Sequence, residues 1–406
     1  MTRTGSRVAI GAGVLLAFLV IDSYAMYSFF TRPYPGANDF YARWRPTRAW
    51  LFEGRGPYDD SVTLDTQIGM YGRPALPSED KALFSYPFFS IVFFALPALV
   101  ADYAWASAIW LAVLQMALLA LLALSFRWAR WQPPPWLFGV TLLFGWFWYH
   151  TARTLILGQF AALNAVLMVG ALMAARSRRE VLAGVLLGLS ACKPQMTFLF
   201  IPGLLLWAAS LRRWKLAAWG VGTLAVLLGG SLLLRPTWIG EWQHQLSVYV
   251  DNSVNRPPVT FMAETLFPSN GPLAQAILSG LLLACLLWAW WLARGRAAQL
   301  WEWTAALTLV MTSLVAPRTA TTDYMMMTPV LFMLFGFMQA RWGRRGIALI
   351  TLTQVALLVG LWALFFATVQ GDQEHSAMYL PLPLLLFAGL LFIRPSGSAA
   401  SEGAAA

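Results

Sequence analysis

The chain has 406 residues, of which 59% are hydrophobic and only 11% charged, a formal net charge of +10 and a mean hydropathy of +0.62. A soluble domain carries about 25% charged residues, so this composition argues against a water-soluble fold. The positive charge does not point to nucleic acid, because the basic residues form short clusters between apolar runs, as loop charges of membrane proteins do.

Arg3 and Arg7 followed by an apolar run resemble the start of a secretory signal. The run continues to residue 30, too long for a signal core, and is read as an uncleaved first span whose single acid, Asp22, should face protein or water rather than lipid. Further apolar runs at 103–126, 135–150, 159–175, 181–193, 194–211, 216–234, 273–293, 302–316, 324–340, 347–368 and 379–393 approach the ~20 residues that cross a bilayer. The expected fold is therefore an all-α polytopic membrane protein with about twelve spans. Runs 181–193 and 302–316 are short and should be tilted or shielded by neighbours.

Orientation follows from lysine and arginine, which favour cytoplasmic loops. Arg127 with Arg130, residues 176–179, 212–215, Arg294 with Arg296, and 341–345 fall on one side, which with both termini is expected to be cytoplasmic. Asp39, Asp59, Asp60, Asp251, Asp323 and Glu374 fall opposite. Counting 84–101 as a crossing would invert this parity, so it is expected as a juxtamembrane or re-entrant helix on the outer side, bordering a cavity. Segments 31–83 and 235–272 are too long to be plain connectors, and the aromatics of the first suggest a folded outer-face element. Residues 1–394 are read as one integral-membrane domain, and the Ser-, Gly- and Ala-rich end, 395–406, as a disordered tail. No fixed-period repeat is visible.

Four stretches carry residues suited to chemistry. In "NDFYARWRP" Asp39 lies beside Tyr41 and Trp44, close to the membrane surface, where a carboxylate can take a proton from a hydroxyl; the alternative is an ion pair with Arg43 or Arg45 that only shapes the loop. In "YHTARTLILGQFAALN" His150 and Arg153 precede Gly158 and Gln159, and an arginine fork suits a lipid phosphate, or else sits at the interface as an anchor. In "GLSACKPQM" Lys193 stands at the outer end of a short hairpin that Pro194 breaks, either snorkelling to headgroups or holding a phosphate. In "PRTATTDYMMMTP" Arg318 and Asp323 meet at a junction of two spans, as site residues or as a structural ion pair.

The two cysteines, Cys192 and Cys285, lie in apolar stretches and offer no disulfide framework. Three distant histidines show no metal-ligand spacing, and no phosphate loop, serine elbow or zinc-protease helix occurs. The residues require no cofactor; a divalent metal stays open but nothing indicates one.

The order of "NDFYARW", "GRGPYDD", "FSYPFFSIVFFALPAL", "RTLILGQFAALN", "AGVLLGLSACKPQ" and "PRTATTDYMMMTP", spread over residues 36–329, resembles the polyprenol-phosphate-mannose-dependent mannosyltransferases of glycosyltransferase family 87, in the GT-C superfamily. The resemblance implies a GT-C-like bundle with juxtamembrane helices in the first long loop. It also implies transfer of a hexose, mannose above all, from a polyprenyl phosphate to a lipid or glycan hydroxyl, with inversion, on the extracytoplasmic face of the cell membrane. Asp39 would be the general base, with Asp323 the secondary candidate. Arg153, Lys193 and Arg318 would hold the donor phosphate, and Tyr41, His150 and Gln159 the substrates. Many members carry a histidine pair after the proline corresponding to Pro317; this chain has Thr322, Asp323 and Tyr324 there, so no histidine role carries over. A lipid or lipid-linked-sugar transporter, or a GT-C enzyme with another sugar or a protein acceptor, is the competing expectation.

Overall fold

The computed structural model describes residues 3–77, 79–251, 256–295, 299–371 and 373–394. The expected tail, Arg296 and part of the second outer segment lie outside the described residues. Among those described the protein is helical, with no strand beyond an isolated bridge between Gln370 and Gln373. In chain order the helices are α1 (Arg3–Met26), α2 (Asn38–Glu53), α3 (Asp60–Tyr71), α4 (Ile91–Ala98), α5 (Tyr103–Ala129), α6 (Pro135–Phe147), α7 (Tyr149–Leu157), α8 (Ala161–Arg176) and α9 (Glu180–Leu189). They continue as α10 (Pro194–Thr197), α11 (Phe200–Ser210), α12 (Trp214–Leu234), α13 (Trp238–Asp251), α14 (Pro258–Leu266), α15 (Gly271–Ala293), α16 (Gln299–Val315), α17 (Thr328–Thr368) and α18 (Pro381–Phe392).

Among the described residues five helical stretches are long and apolar enough to cross a membrane: Gly11–Thr31, Tyr103–Ala129, Trp214–Leu234, Pro268–Ala293 and Thr321–Thr368. They mark a helical membrane protein. Seven further apolar helices are shorter, including Phe88–Ala98, whose 11 residues reach only about 16 Å of a ~30 Å core. α17 breaks at Gly343, whose φ of 51° and ψ of −122° leave the helical region. Straight helix would hold residues 338 and 346 about 12 Å apart. Instead a Cβ on Gly346 would stand 2.0 Å from the Met338 carbonyl oxygen, so the chain reverses there, inside the basic run 341–345.

The chain divides into two compact units, each built from separate stretches. The first comprises Met1–Ala120, Arg153–Leu163 and Leu228–Ser253. Asp22 in α1, half-buried, accepts a hydrogen bond from Gln115 at 3.0 Å and so faces protein, as expected of the acid in the first span. Segment 31–83 forms α2 and α3, packed on each other, with α4 against α2. Arg48 donates to the Ala98 carbonyl at 2.7 Å and Trp44 to that of Val100 at 3.3 Å, satisfying carbonyls that the end of α4 leaves open. Arg45, Arg55, Glu53 and Asp65 form a cluster of ion pairs between α2 and α3. Arg235 ties α13 to this element through Asp59 at 2.8 Å and Glu241 at 2.5 Å, and its guanidinium fills the space where a side chain on Gly56 would begin.

The second unit comprises Leu121–Ala152, Asn164–Leu227 and Val254–Ala406. Here α16 is the hub, packed on α10, α11, α14, α15 and α18. Glycines let helices approach closely: a Cβ on Gly184 would meet the backbone of Gly220 at 2.7 Å.

Candidate functional site

Asp39 occupies the first turn of α2, immediately after a left-handed turn at Gly36 (φ 54°) and Ala37 (φ 51°). Tyr103 locks that turn by donating from its hydroxyl to the carbonyls of Gly36 at 2.8 Å and Ala37 at 2.9 Å. The Asp39 carboxylate is half-buried and accepts a hydrogen bond from the Gln159 side-chain amide at 2.6 Å.

Gly158 explains why Gln159 arrives there. α7 ends at Leu157, and Gly158 turns left-handed at φ 67°, a region that favours glycine. It also sits so close to the start of α2 that a Cβ would lie 2.8 Å from the Cβ atoms of both Ala37 and Phe40. The Trp110 indole fixes its carbonyl at 2.7 Å, and Phe40 stacks on Trp110 with centroids 4.9 Å apart. Glycine at 158 is thus required twice over, and the residue after it is delivered to Asp39.

Two further side chains complete this cluster. Tyr86 donates to the Gln159 amide oxygen at 3.4 Å, and the Arg43 guanidinium lies over the Tyr86 ring at 4.9 Å. Arg43 is buried one helical turn after Asp39, on the same face. Burial works against its charge, but the Tyr86 hydroxyl and the Asp39 and Asp80 carboxylates outweigh it and raise its pKa above the ordinary value. Arg45 turns away to Glu53 and Asp65. Tyr41, two residues from Asp39, points elsewhere, stacking edge-on against Tyr103 at 4.7 Å, with its hydroxyl lying where a Gly69 side chain would begin. The helical period alone separates it from the carboxylate.

In the second unit, the most buried charges are Lys193 and Asp323, 2.6 Å apart and nearly inaccessible, at 0% and 1% exposure. Lys193 stands between a 3₁₀ turn, Ser190–Cys192, and α10, with Pro194 opening the new helix as the sequence suggested. It does not snorkel. Asp323 belongs to a 3₁₀ segment, Thr321–Met327, and also accepts from the Ala320 N–H at 3.1 Å. Of the two readings of Arg318 and Asp323, site residues or a mutual ion pair, neither included Lys193, which is the cation that Asp323 meets. Arg318 itself is half-buried in the turn before the segment.

His150 is buried in the same unit, its ring 5.2 Å from that of Tyr324, the neighbour of Asp323. The run 135–150 is not one helix: the backbone turns extended at Trp148 (ψ 158°), and His150 and Arg153 ride on the separate short helix α7. Arg153 belongs with the first unit and is half-buried. Glu374, which sequence placed only as an outer-side acid, accepts from Tyr149 at 2.7 Å and from Thr321 at 2.9 and 2.7 Å. An isolated acid in a polar loop carries no signal that would have singled it out. Arg43 was already a possible partner of Asp39 from its four-residue spacing; Tyr86 carried no such signal. Among the described residues no group of three His, Cys, Asp or Glu side chains is placed to hold a metal ion.

The long apolar helices define a class, the helical membrane proteins. The family is more specific. The model of Glycosyltransferase family 87 matches residues 84–317, more than half of the chain, and the protein belongs to that family. It is therefore a glycosyltransferase. No curated protein and no solved structure matches the chain. The matched stretch contains His150, Arg153, Gly158, Gln159 and Lys193 and leaves Asp39, Arg318 and Asp323 outside.

Proposed function

We propose that the protein transfers a hexose, mannose in the first instance, from a polyprenyl phosphate to a hydroxyl of a lipid or glycan acceptor, on the extracytoplasmic face of the cell membrane, with Asp39 as the general base. The observation that carries this is the Asp39 carboxylate, half-exposed and oriented through one oxygen by Gln159. Its other oxygen has no hydrogen-bond partner among the described residues, which leaves it for an acceptor hydroxyl.

In the reaction, the acceptor oxygen attacks the anomeric carbon while its proton passes to Asp39. The bond from that carbon to the phosphate oxygen breaks, and the electron pair leaves with polyprenyl phosphate. This leaving group is already a stable anion, so positive charge helps it more than an acid would. Direct displacement inverts the anomeric centre. Arg153 and Arg318 are each candidates for that positive charge. Lys193 is a third, held by Asp323. The basic clusters, including 176–179 and 341–345, support the orientation with Asp39 outside.

The test is transfer of labelled mannose from a polyprenyl-phosphate donor to extracted lipids and glycans by purified protein. Wild type should form an α-linked product, and Asp39→Asn should lose about 10²–10⁴-fold in turnover with donor binding little changed. An Asn variant with normal turnover per folded molecule would remove Asp39 from the base role, and Asp323, the secondary candidate, is buried against Lys193.

A further inference from the structure

The second unit contains a groove of about 230 Å³ between α11, α15 and α16. That is smaller than the ~300–1,000 Å³ of pockets that enclose a whole small molecule, so it is sized for part of a chain. Its walls are apolar, with Trp207, Trp290, Trp301 and Leu287 among them, while Ser210 and Arg294 stand at its rim.

The wall is built rather than incidental. Trp207 and Trp301 stack with centroids 4.2 Å apart and planes 9° from parallel. Trp290 donates its indole N–H to Thr308 at 2.9 Å, leaving only its apolar ring for the groove. Gly203 lets that ring lie against α11, since a Cβ there would come within 2.8 Å of it. The shape therefore exists before anything binds.

The charges beside it are unbalanced. Arg213 packs on Trp207 at 4.9 Å but is consumed by Glu180 at 2.9 Å. Arg294 is exposed, rests on Trp291 at 5.8 Å and has no acidic partner among the described residues. The Gly295 N–H donates to Ser210 at 3.1 Å, so the end of α11 meets the end of α15 and the exposed Arg212 belongs to the same junction. An apolar slot with uncompensated guanidinium groups at its mouth, at the ends of membrane helices, matches an amphipathic anion.

We propose that this groove binds an anionic phospholipid, its phosphate held by Arg294 and one acyl chain laid along the tryptophan wall. Snorkelling alone would also draw Arg294 to anionic headgroups but would not depend on the tryptophan wall, whereas a built site needs both the charge and the groove. Native mass spectrometry of the purified full chain, titrated with phosphatidylglycerol or phosphatidylcholine of equal chain length, tests this. The wild type should retain phosphatidylglycerol about tenfold more strongly, Arg294→Gln should bring that preference to within about twofold, and inorganic phosphate should not displace the lipid. Leu287→Trp, at a residue 58% exposed, fills the groove without touching the charge and should weaken retention of both lipids. Equal retention of the two lipids by wild type, an unchanged preference in Arg294→Gln, full retention in Leu287→Trp, or displacement by inorganic phosphate would each overturn the proposal.

Discussion

Removing the lysine of the buried Lys193–Asp323 pair should cost far more than removing the pair. At 2.6 Å and an effective dielectric of about 20, the attraction is roughly 6 kcal/mol. Desolvation of two ions costs several kcal/mol each, so the intact pair nets close to zero. Lys193→Met leaves Asp323 buried without its partner and should lose about 3–5 kcal/mol, while Lys193→Met/Asp323→Leu should return to within about 1 kcal/mol of wild type or exceed it. Unfolding of the purified protein in detergent measures both. A single mutant as stable as the parent would refute the reasoning. The double mutant also separates two roles of Lys193. If transfer returns with stability, the lysine is structural; if stability returns and donor affinity stays low, it touches the donor phosphate.

Gly158→Ala forces a side chain into a left-handed backbone, at about 1–2 kcal/mol, and into contact with Ala37 and Phe40, so transfer should fall at least about tenfold in steady-state assays. Hydrogen bonds from Arg45 and then Arg55 hold the Glu53 pKa down at about 2, against an ordinary 4.5. A depressed carboxylate stabilises above its unfolded pKa and loses this as pH falls through the folded one. Limited proteolysis of the α2–α3 element should therefore quicken between about pH 4.5 and 2, by less than about 1 kcal/mol for so exposed a group, and Glu53→Gln should abolish that step. In intact cells a membrane-impermeant thiol reagent should modify Ser61→Cys and spare Ser177→Cys; outside labelling at 177 would reverse the orientation.

What sequence showed and what it hid divide along one physical line. Signals that repeat along the chain were legible: the five long apolar helices of the twelve expected spans, the helices of 31–83, and the basic run 341–345 at which Gly343 reverses the chain. Signals that depend on what lies opposite were not. Lys193 and Asp323 stand 130 positions apart, and no spacing rule pairs them. Gly158 and Gln159 were visible as residues worth noting, but the reason, contact with Ala37 and Phe40, exists only once α2 is folded against them. The break at Trp148 escaped because "FGWFW" holds no polar residue to interrupt an apolar run.

The Asp39–Gln159 contact allows a test that separates holding the site together from doing its chemistry. Gln159→Glu is nearly isosteric but replaces the amide donor, 2.6 Å from the carboxylate, with a second acceptor. Repulsion should drive Asp39 from its position, cost about 1.5–3 kcal/mol of stability and lower transfer by about 10- to 150-fold. Adding Asp39→Asn restores a donor and an acceptor across the same gap with their order reversed, so the stability should return. If Asp39 is the base, activity should not return, because the carboxylate now sits at 159, where Tyr86 donates to the side chain on one side and α2 closes the other. Stability recovered with transfer still down by about 10²–10⁴-fold makes position 39 catalytic and Gln159 a positioning residue. Were transfer instead to recover with stability, the wild-type carboxylate at 39 would serve only to hold the turn after α7 to α2, and the proton would go elsewhere.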